Sequence, residues 1–368
     1  MQYIVTNFAY GTGPYLRTTE LALAFNDELE RRGKPRMKIL VPLVYGERQR
    51  QVMREEFGEH PDLELDETLG ALLKSIFYTG EKKYEEALKH WIENAEEVSR
   101  KAHEYLKDRD IVLEINRSPR VTYGVAPSYS TTFGYIAEIL EGALAAGREE
   151  VDIDPELLRK GITLADKIEG GQDFSVVAYP GTFSWMPGYK SRYSAVLVPP
   201  ITNLPKVHTE PMDDGVYVTI TGIEGLERLY RQAKELGLKL YSNEVKAVEG
   251  AQKALPHVIP NSAVKLQFAR SGWGSVWLSM FSGTPIVVPE YDPTDDPEIY
   301  FNNKAIEELG IGIVYRGQPL ADILAQTEAV RAAQKRLCTE IQTRWGTLNG
   351  NDECAKRMVE KYLGGVNC

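Results

Sequence analysis

The run Arg270-Ser271-Gly272-Trp273-Gly274-Ser275 follows one apolar stretch, Val264 to Phe268, and leads into another, Val276 to Phe281. A buried strand that gives way to glycines and then to a helix gathers unpaired backbone N–H groups at one point, a geometry that holds an oxyanion. Ser275 adds a hydroxyl at the helix start, and Arg270 a planar guanidinium suited to two-point phosphate contact. The plainer reading of the same letters is a tight turn with Ser275 as N-cap.

Other residues with chemical potential are scattered. Asp292, Asp295 and Asp296 precede Asn302-Asn303-Lys304, where they can cap a helix or hold ligand hydroxyls. Glu114 sits near the end of the apolar run Ile111 to Asn116 and is a candidate general base, with pairing to Arg117 or Arg120 as the structural alternative. The five histidines, His60, His90, His103, His208 and His257, adjoin no glycine loop. No Asp-x-Asp flanks the glycine turn, so no divalent metal and no cofactor are expected at the phosphates. Cys338, Cys354 and Cys368 match neither a metal motif nor a disulfide framework.

These residues need elements to position them. Tyr3 to Phe8 reads as a buried strand, Gly11-Thr12-Gly13-Pro14 as a turn, Tyr15 to Arg32 as an amphipathic helix and Lys38 to Pro42 as a second strand. That order implies a right-handed parallel crossover, whose ligands collect at the carboxyl ends of the strands. Thr68 to Lys107 reads as helical, and a loop follows Asn116 as far as Thr132. After the linker-like Pro199-Pro200 a second alternating set begins with Gly215 to Thr221 and closes on helices near 321–341 and 353–363. Aromatics in the first half, among them Tyr123, Tyr129, Tyr135, Trp185, Tyr189 and Tyr193, are placed to border a cleft.

The net charge of −10 argues against general nucleic-acid binding and leaves room for a local basic pocket. No run of 18 apolar residues suggests an integral membrane segment. The opening Met1-Gln2-Tyr3-Ile4-Val5 reads as mature strand and not as a signal peptide, so a cytoplasmic location is expected.

From Arg270 through Pro289 the chain resembles the donor-binding segment of glycosyltransferases of the two-domain GT-B fold. Inverting members carry His-Gly-Gly-Trp-Asn-Ser or a variant, then a Glu, then Gly-x-Pro and an apolar strand. Gly272, Trp273, Ser275, Gly283, Pro285 and Pro289 fall on that pattern, whereas Arg270 stands at the histidine and Leu278 at the ribose-binding glutamate. The resemblance implies an α/β protein with two Rossmann-like domains facing a cleft: residues 1–198 for an acceptor, 199–345 for a nucleotide-sugar donor, and a helix in 346–368 crossing back to the first domain.

It further implies a hexosyltransferase that moves a sugar from a UDP-sugar to a small-molecule, glycan or lipid acceptor. Thr221, Gly222, Arg270, Ser271, Gly272, Trp273, Gly274, Ser275, Asp295, Asp296 and Asn302 would then face the donor. Gly11, Thr12, Gly13, Tyr15 and Arg17 would lie on the acceptor side. A nucleotide-sugar epimerase would need paired cleft carboxylates and a histidine that the resemblance does not locate. A degenerate, non-catalytic relative that binds a sugar or a partner is suggested by Leu278 and the missing histidine.

Overall fold

A computed structural model of the chain describes residues 2–9, 11–76, 83–219 and 226–365. The first sheet contains β1 (Tyr3–Phe8), β2 (Lys38–Pro42), β3 (Leu63–Asp66), β4 (Ile111–Arg117), β5 (Ser128–Thr132), β6 (Phe174–Ala178) and β7 (Val196–Val198). Its order is β3-β2-β1-β4-β5-β6-β7, every pairing parallel. Helices α1 (Thr12–Arg31), α2 (Gly46–Phe57), α3 (Glu67–Lys74), α4 (Tyr84–Leu106), α5 (Ile136–Ala146) and α6 (Pro155–Glu169) lie between these strands in sequence.

The second sheet contains β8 (Gly215–Val218), β9 (Lys239–Ser242), β10 (Gln252–Lys253), β11 (Val264–Phe268), β12 (Ile286–Pro289) and β13 (Gly312–Tyr315), ordered β10-β9-β8-β11-β12-β13 and again parallel. With it go α7 (Glu227–Glu235), α8 (Trp273–Ser282), α9 (Pro297–Leu309), α10 (Leu320–Ala325), α11 (Thr327–Trp345) and α12 (Gly350–Gly365). Each sheet reverses its winding once, between β1 and β4 and between β8 and β11. Open parallel sheets bind ligands at such switch points.

Strand β5 lies within the segment expected to be a loop. Its letters, Ser-Tyr-Ser-Thr-Thr, lack the apolar run of a central strand, yet all five residues are buried. Their hydroxyls are satisfied locally: Ser130 Oγ lies 2.9 Å from Ser175 Oγ, Thr131 Oγ1 donates to the Asn116 carbonyl at 3.2 Å, and Thr132 Oγ1 donates to that of Gly134 at 2.6 Å. The expected helix across 68–107 is instead two, α3 and α4, and α1 begins at Thr12, ahead of Tyr15.

The two sheets share one continuous core, in which Trp273, Trp277 and Met280 of α8 join Val176, Ala178 and Tyr179 of the first domain. Helix α12 crosses back onto α1, where Tyr362 meets Phe25 edge-on at 5.8 Å. The crossing is tight at Gly350: its N–H donates to the Pro200 carbonyl at 3.1 Å, and a Cβ there would stand 2.3 Å from the carbonyl oxygens of Pro199 and Pro200. Among the described residues no helix is long and apolar enough to cross a membrane.

Candidate functional site

Strand β11 ends at the switch point of the second sheet, and α8 begins five residues later with Gly272 as N-cap. No side chain caps this helix. The Ser275 amide turns back to the Gly272 carbonyl at 2.9 Å, so Ser275 is not the N-cap of the plainer reading. Neither Gly272 nor Gly274 has a positive φ, and a Cβ on either would meet nothing within 4 Å. The glycines therefore matter for open space above the helix start, and not for conformational freedom. The first N–H groups of a helix lack partners within it and carry its positive dipole end, so this mouth favours an anion.

Arg270 forms an ion pair with Asp295, both about a third exposed. Asp295 also accepts the Asp296 amide at 2.7 Å, and this fixes the acidic loop beside the turn. Asp296 is the N-cap of α9, accepting from the Glu298 amide at 3.0 Å.

Ser271, Trp273 and Asn302 do not face the donor mouth as expected; they are buried and form its foundation. The Asn302 amide donates to the Ser271 carbonyl at 2.9 Å and to the Glu298 carboxyl at 3.0 Å. Its oxygen accepts the Trp273 indole N–H at 2.8 Å and the Thr182 hydroxyl at 2.9 Å. Every polar group of Asn302 is thus consumed within the protein. The second indole, that of Trp277, donates to the Pro180 carbonyl at 3.0 Å. Leu278 packs with Tyr217, Val258 and Val264, so the position that the resemblance gives to a glutamate is here part of an apolar cluster. Thr221 and Gly222 lie outside the described residues.

Four residues of this region carry no sequence motif: Thr182, Glu298, Arg117 and Arg120. Glu298 stands four positions before Asn302 on α9, and that helical spacing was its one available signal. Arg117, Arg120 and Arg270 bring positive charge around it, one each from the end of β4, the loop after β4 and the turn before α8. Burial and the neighbouring carboxyl nonetheless hold both Asp296 and Glu298 above the ordinary carboxylate range.

At the start of α1, the segment expected on the acceptor side, Gly11 adopts φ 115° and its N–H donates to the Tyr45 hydroxyl at 2.7 Å. Thr12 opens α1, and Gly13 has open space around it. Tyr15 does not line the acceptor side: it is 1% exposed, and its ring packs 6.1 Å from Phe8 and 5.8 Å from Tyr45. Arg17 is bound to Glu20 on the same helix. Tyr123, Tyr129 and Tyr135 are likewise core residues. The histidines serve local structure: His90 meets the Ser75 carbonyl, His103 that of Tyr123, His208 the Asn261 amide, and His60 accepts the Asp62 amide. His257 stacks 5.3 Å from His208.

Glu114 is not placed as a base. It lies inside β4, 1% exposed, paired in register with Val5 and Ser128, and its carboxyl accepts the Val125 amide at 3.0 Å. It anchors the loop after β4 and makes no ion pair with Arg117 or Arg120. Burial raises its pKa to about 7, against the opposing pull of the loop amides. Glu169, which accepts the first two N–H groups of α5 at 2.7 and 3.1 Å, is also raised by burial to about 7.

These two carboxyls set a pH dependence. Their unfolded values lie near 4.5, so between pH 4.5 and 7 the unfolded chain has released protons that the native state retains, and stability falls as pH rises. Carboxylates held low by ion pairs, such as Glu97, lose their contribution below that window. Urea unfolding between pH 5 and 7.5 should show a declining free energy, with a slope of up to about 1.4 kcal/mol per pH unit for each group. A flat or rising profile would show that neither carboxyl retains its proton.

No family model matches the sequence, and no curated protein matches it. The structure, by contrast, is similar to solved glycosyltransferases along nearly its whole length. With TcCGT1 in complex with UDP it superposes at TM-score 0.67 and 10% identity over 99% of both chains. With CalG4, the calicheamicin glycosyltransferase, the TM-score is 0.61 and the identity 16% over 98% of each chain. With SsfS6 of Streptomyces sp. SF2575, complexed with thymidine diphosphate, the TM-score is 0.56 and the identity 14% over 98% of this chain and 99% of that one. The chain thus has the two-domain GT-B fold of these glycosyltransferases, and its own final helix returns to α1.

Proposed function

We propose that the protein is a glycosyltransferase that moves a sugar from a nucleoside diphosphate donor, a UDP-sugar, to a hydroxyl acceptor without a metal ion. The observation that carries this reading is the uncapped start of α8, open above Gly272 and Gly274, with Arg270 beside it at the switch point of the second sheet. Breaking the sugar–phosphate bond leaves charge on the departing diphosphate. The helix N–H groups and the Arg270 guanidinium are aimed where that charge develops and need little rearrangement to receive it. Asp295 orients Arg270, and Asn302 holds the Ser271 carbonyl and Glu298 so that the turn and α9 keep their spacing. Glu298, held toward its protonated form, offers an O–H donor to a sugar hydroxyl.

Titration calorimetry with UDP and with thymidine diphosphate tests the donor site directly. Arg270→Ala should weaken UDP binding by about 1 to 3 kcal/mol, the value of a charge-assisted hydrogen bond, or roughly 5- to 150-fold. Absence of binding by either nucleotide would refute the transferase. A second reading, nucleotide binding without turnover, is favoured by the burial of Glu114 and the structural engagement of the histidines. Binding of UDP without release of sugar from UDP-glucose, with or without phenolic acceptors, would select it.

A further inference from the structure

Helix α9 and the acidic loop ahead of it belong to the second domain by sequence, yet they are seated on the first. The Tyr84 amide at the start of α4 donates to the Thr294 carbonyl at 2.9 Å, and the Asp152 amide donates to the Pro293 carbonyl at 2.7 Å. The Glu85 carboxyl accepts the Asp154 amide at 2.7 Å, so these two anchors are tied to each other. Within α9, Phe301 lies on Gly142 of α5, where a Cβ would stand 2.5 Å from the ring, and its centroid is 5.0 Å from that of Phe183. Beside it the Thr182 hydroxyl holds Asn302 at 2.9 Å.

The loop seated in this way carries the partner of the donor-site cation. It is closed on itself: the Asp295 amide donates to the Asp292 carbonyl at 2.9 Å, the Thr294 amide to the Asp292 carboxyl at 2.8 Å, and the Tyr291 hydroxyl to the Asp295 carbonyl at 3.0 Å. A loop so cross-linked moves as a unit. Asp295 near its end pairs with Arg270, which has no other ion-pair partner among the described residues. A guanidinium on a long side chain has several staggered rotamers, so the carboxylate that selects one of them decides where the charge stands.

We propose that the first domain positions Arg270 for the donor, with the Tyr84 and Asp152 amides and the Gly142 seat of Phe301 acting through the 292–296 loop and Asp295. Nucleoside diphosphate affinity then depends on how the two domains are docked, through groups that reach Arg270 by way of the loop. The word donor rests on the transferase reading above.

Tyr84 is the first residue of α4, a position where proline is accommodated because the missing N–H has no partner within the helix. Lys83 before it is already extended, at φ −112° and ψ 137°, as suits a residue that precedes proline. Tyr84→Pro therefore deletes the N–H bonded to Thr294, whereas Tyr84→Ala loses the same ring, with its hydrogen bond from Arg120, and keeps that N–H. In titration calorimetry Tyr84→Pro should bind UDP at least about threefold more weakly than Tyr84→Ala, and the difference should fall below about twofold when both are combined with Arg270→Ala, because residues acting through one another are non-additive. A general loss of structure would instead leave the difference the same in both backgrounds. Without nucleotide, amide hydrogen exchange across residues 291–297 should be faster in Tyr84→Pro than in Tyr84→Ala. Equal UDP affinity of the two variants, an undiminished difference on Arg270→Ala, or equal exchange would each overturn the proposal. If Tyr84→Pro does not fold, Gly142→Ala, whose methyl presses on Phe301 while favouring the helix, is compared with the native chain in the same two backgrounds, with the same expected result. Failure of the native chain to bind UDP removes the donor reading and this proposal with it, whereas an additive cycle in a chain that binds UDP removes the proposal alone.

Discussion

Replacing Trp273 by alanine is expected to destabilise the protein by about 4 kcal/mol, in the range found when a buried aromatic ring is deleted from a core. The ring is 1% exposed, packs 5.9 Å from Trp277, and belongs to the core that runs through both sheets. Its loss opens a cavity that neighbours from two different domains would have to fill, and the backbone that positions α8 limits such collapse. The indole N–H also serves Asn302 and, at 3.2 Å, Thr182. Trp273→Phe keeps most of the volume and removes only that donor, so a loss of about 1 to 3 kcal/mol is expected. Urea unfolding followed by far-ultraviolet circular dichroism measures both. A loss under about 1 kcal/mol for the alanine variant would show that the indole does not join the two sheets. Because Trp273 is the first residue of α8, the alanine variant should also weaken UDP binding.

Gly274→Asp separates folding from function in the other direction. Gly274 is exposed, has ordinary helical geometry, and would place a Cβ in open space. A carboxylate in a first helical turn is favourable by about 0.3 to 1 kcal/mol, and replacing a helical glycine removes part of its entropic cost. Stability should therefore hold or rise slightly. In the bound state the same carboxylate faces the diphosphate: two unit charges about 5 Å apart at an effective dielectric near 20 repel by roughly 3 kcal/mol. UDP affinity should drop at least tenfold while the melting temperature does not fall. Unchanged affinity would place the diphosphate elsewhere and remove the main support for the donor site. Paired with Trp273→Ala, it distinguishes a residue that builds the turn from one that leaves room for its ligand.

The difference between these two residues was not legible in the letters. Both sit in the same six-residue run, and strand followed by glycine, then helix, is enough to announce an anion turn because backbone geometry alone creates it. The apolar runs of β2 and β12 were legible for a similar reason: a parallel strand buried on both faces tends to be continuously hydrophobic. Strand β5 broke that rule with polar residues whose hydroxyls bond to neighbours unknown until the sheet is assembled. Glu114 was misjudged by the same limit. A carboxylate near a strand end can face a cleft or cap a loop, and only the fold shows that the amides of residues 123–126 surround it.

Local sequence by itself determined the alternation of strands and helices and the glycine turn at α8, since each depends on periodicity and backbone freedom within a few residues, whereas the return of the final helix was implied only by the family resemblance. Tertiary structure alone decided that Asn302, Trp273 and Thr182 form one hydrogen-bonded block across 120 residues of chain. It also decided that Tyr15 is core and that Arg117 and Arg120 bring their charge to bear on Glu298. Such relations depend on which distant segments meet, and on the desolvation that follows when they do, and neither is written in any single stretch of the chain.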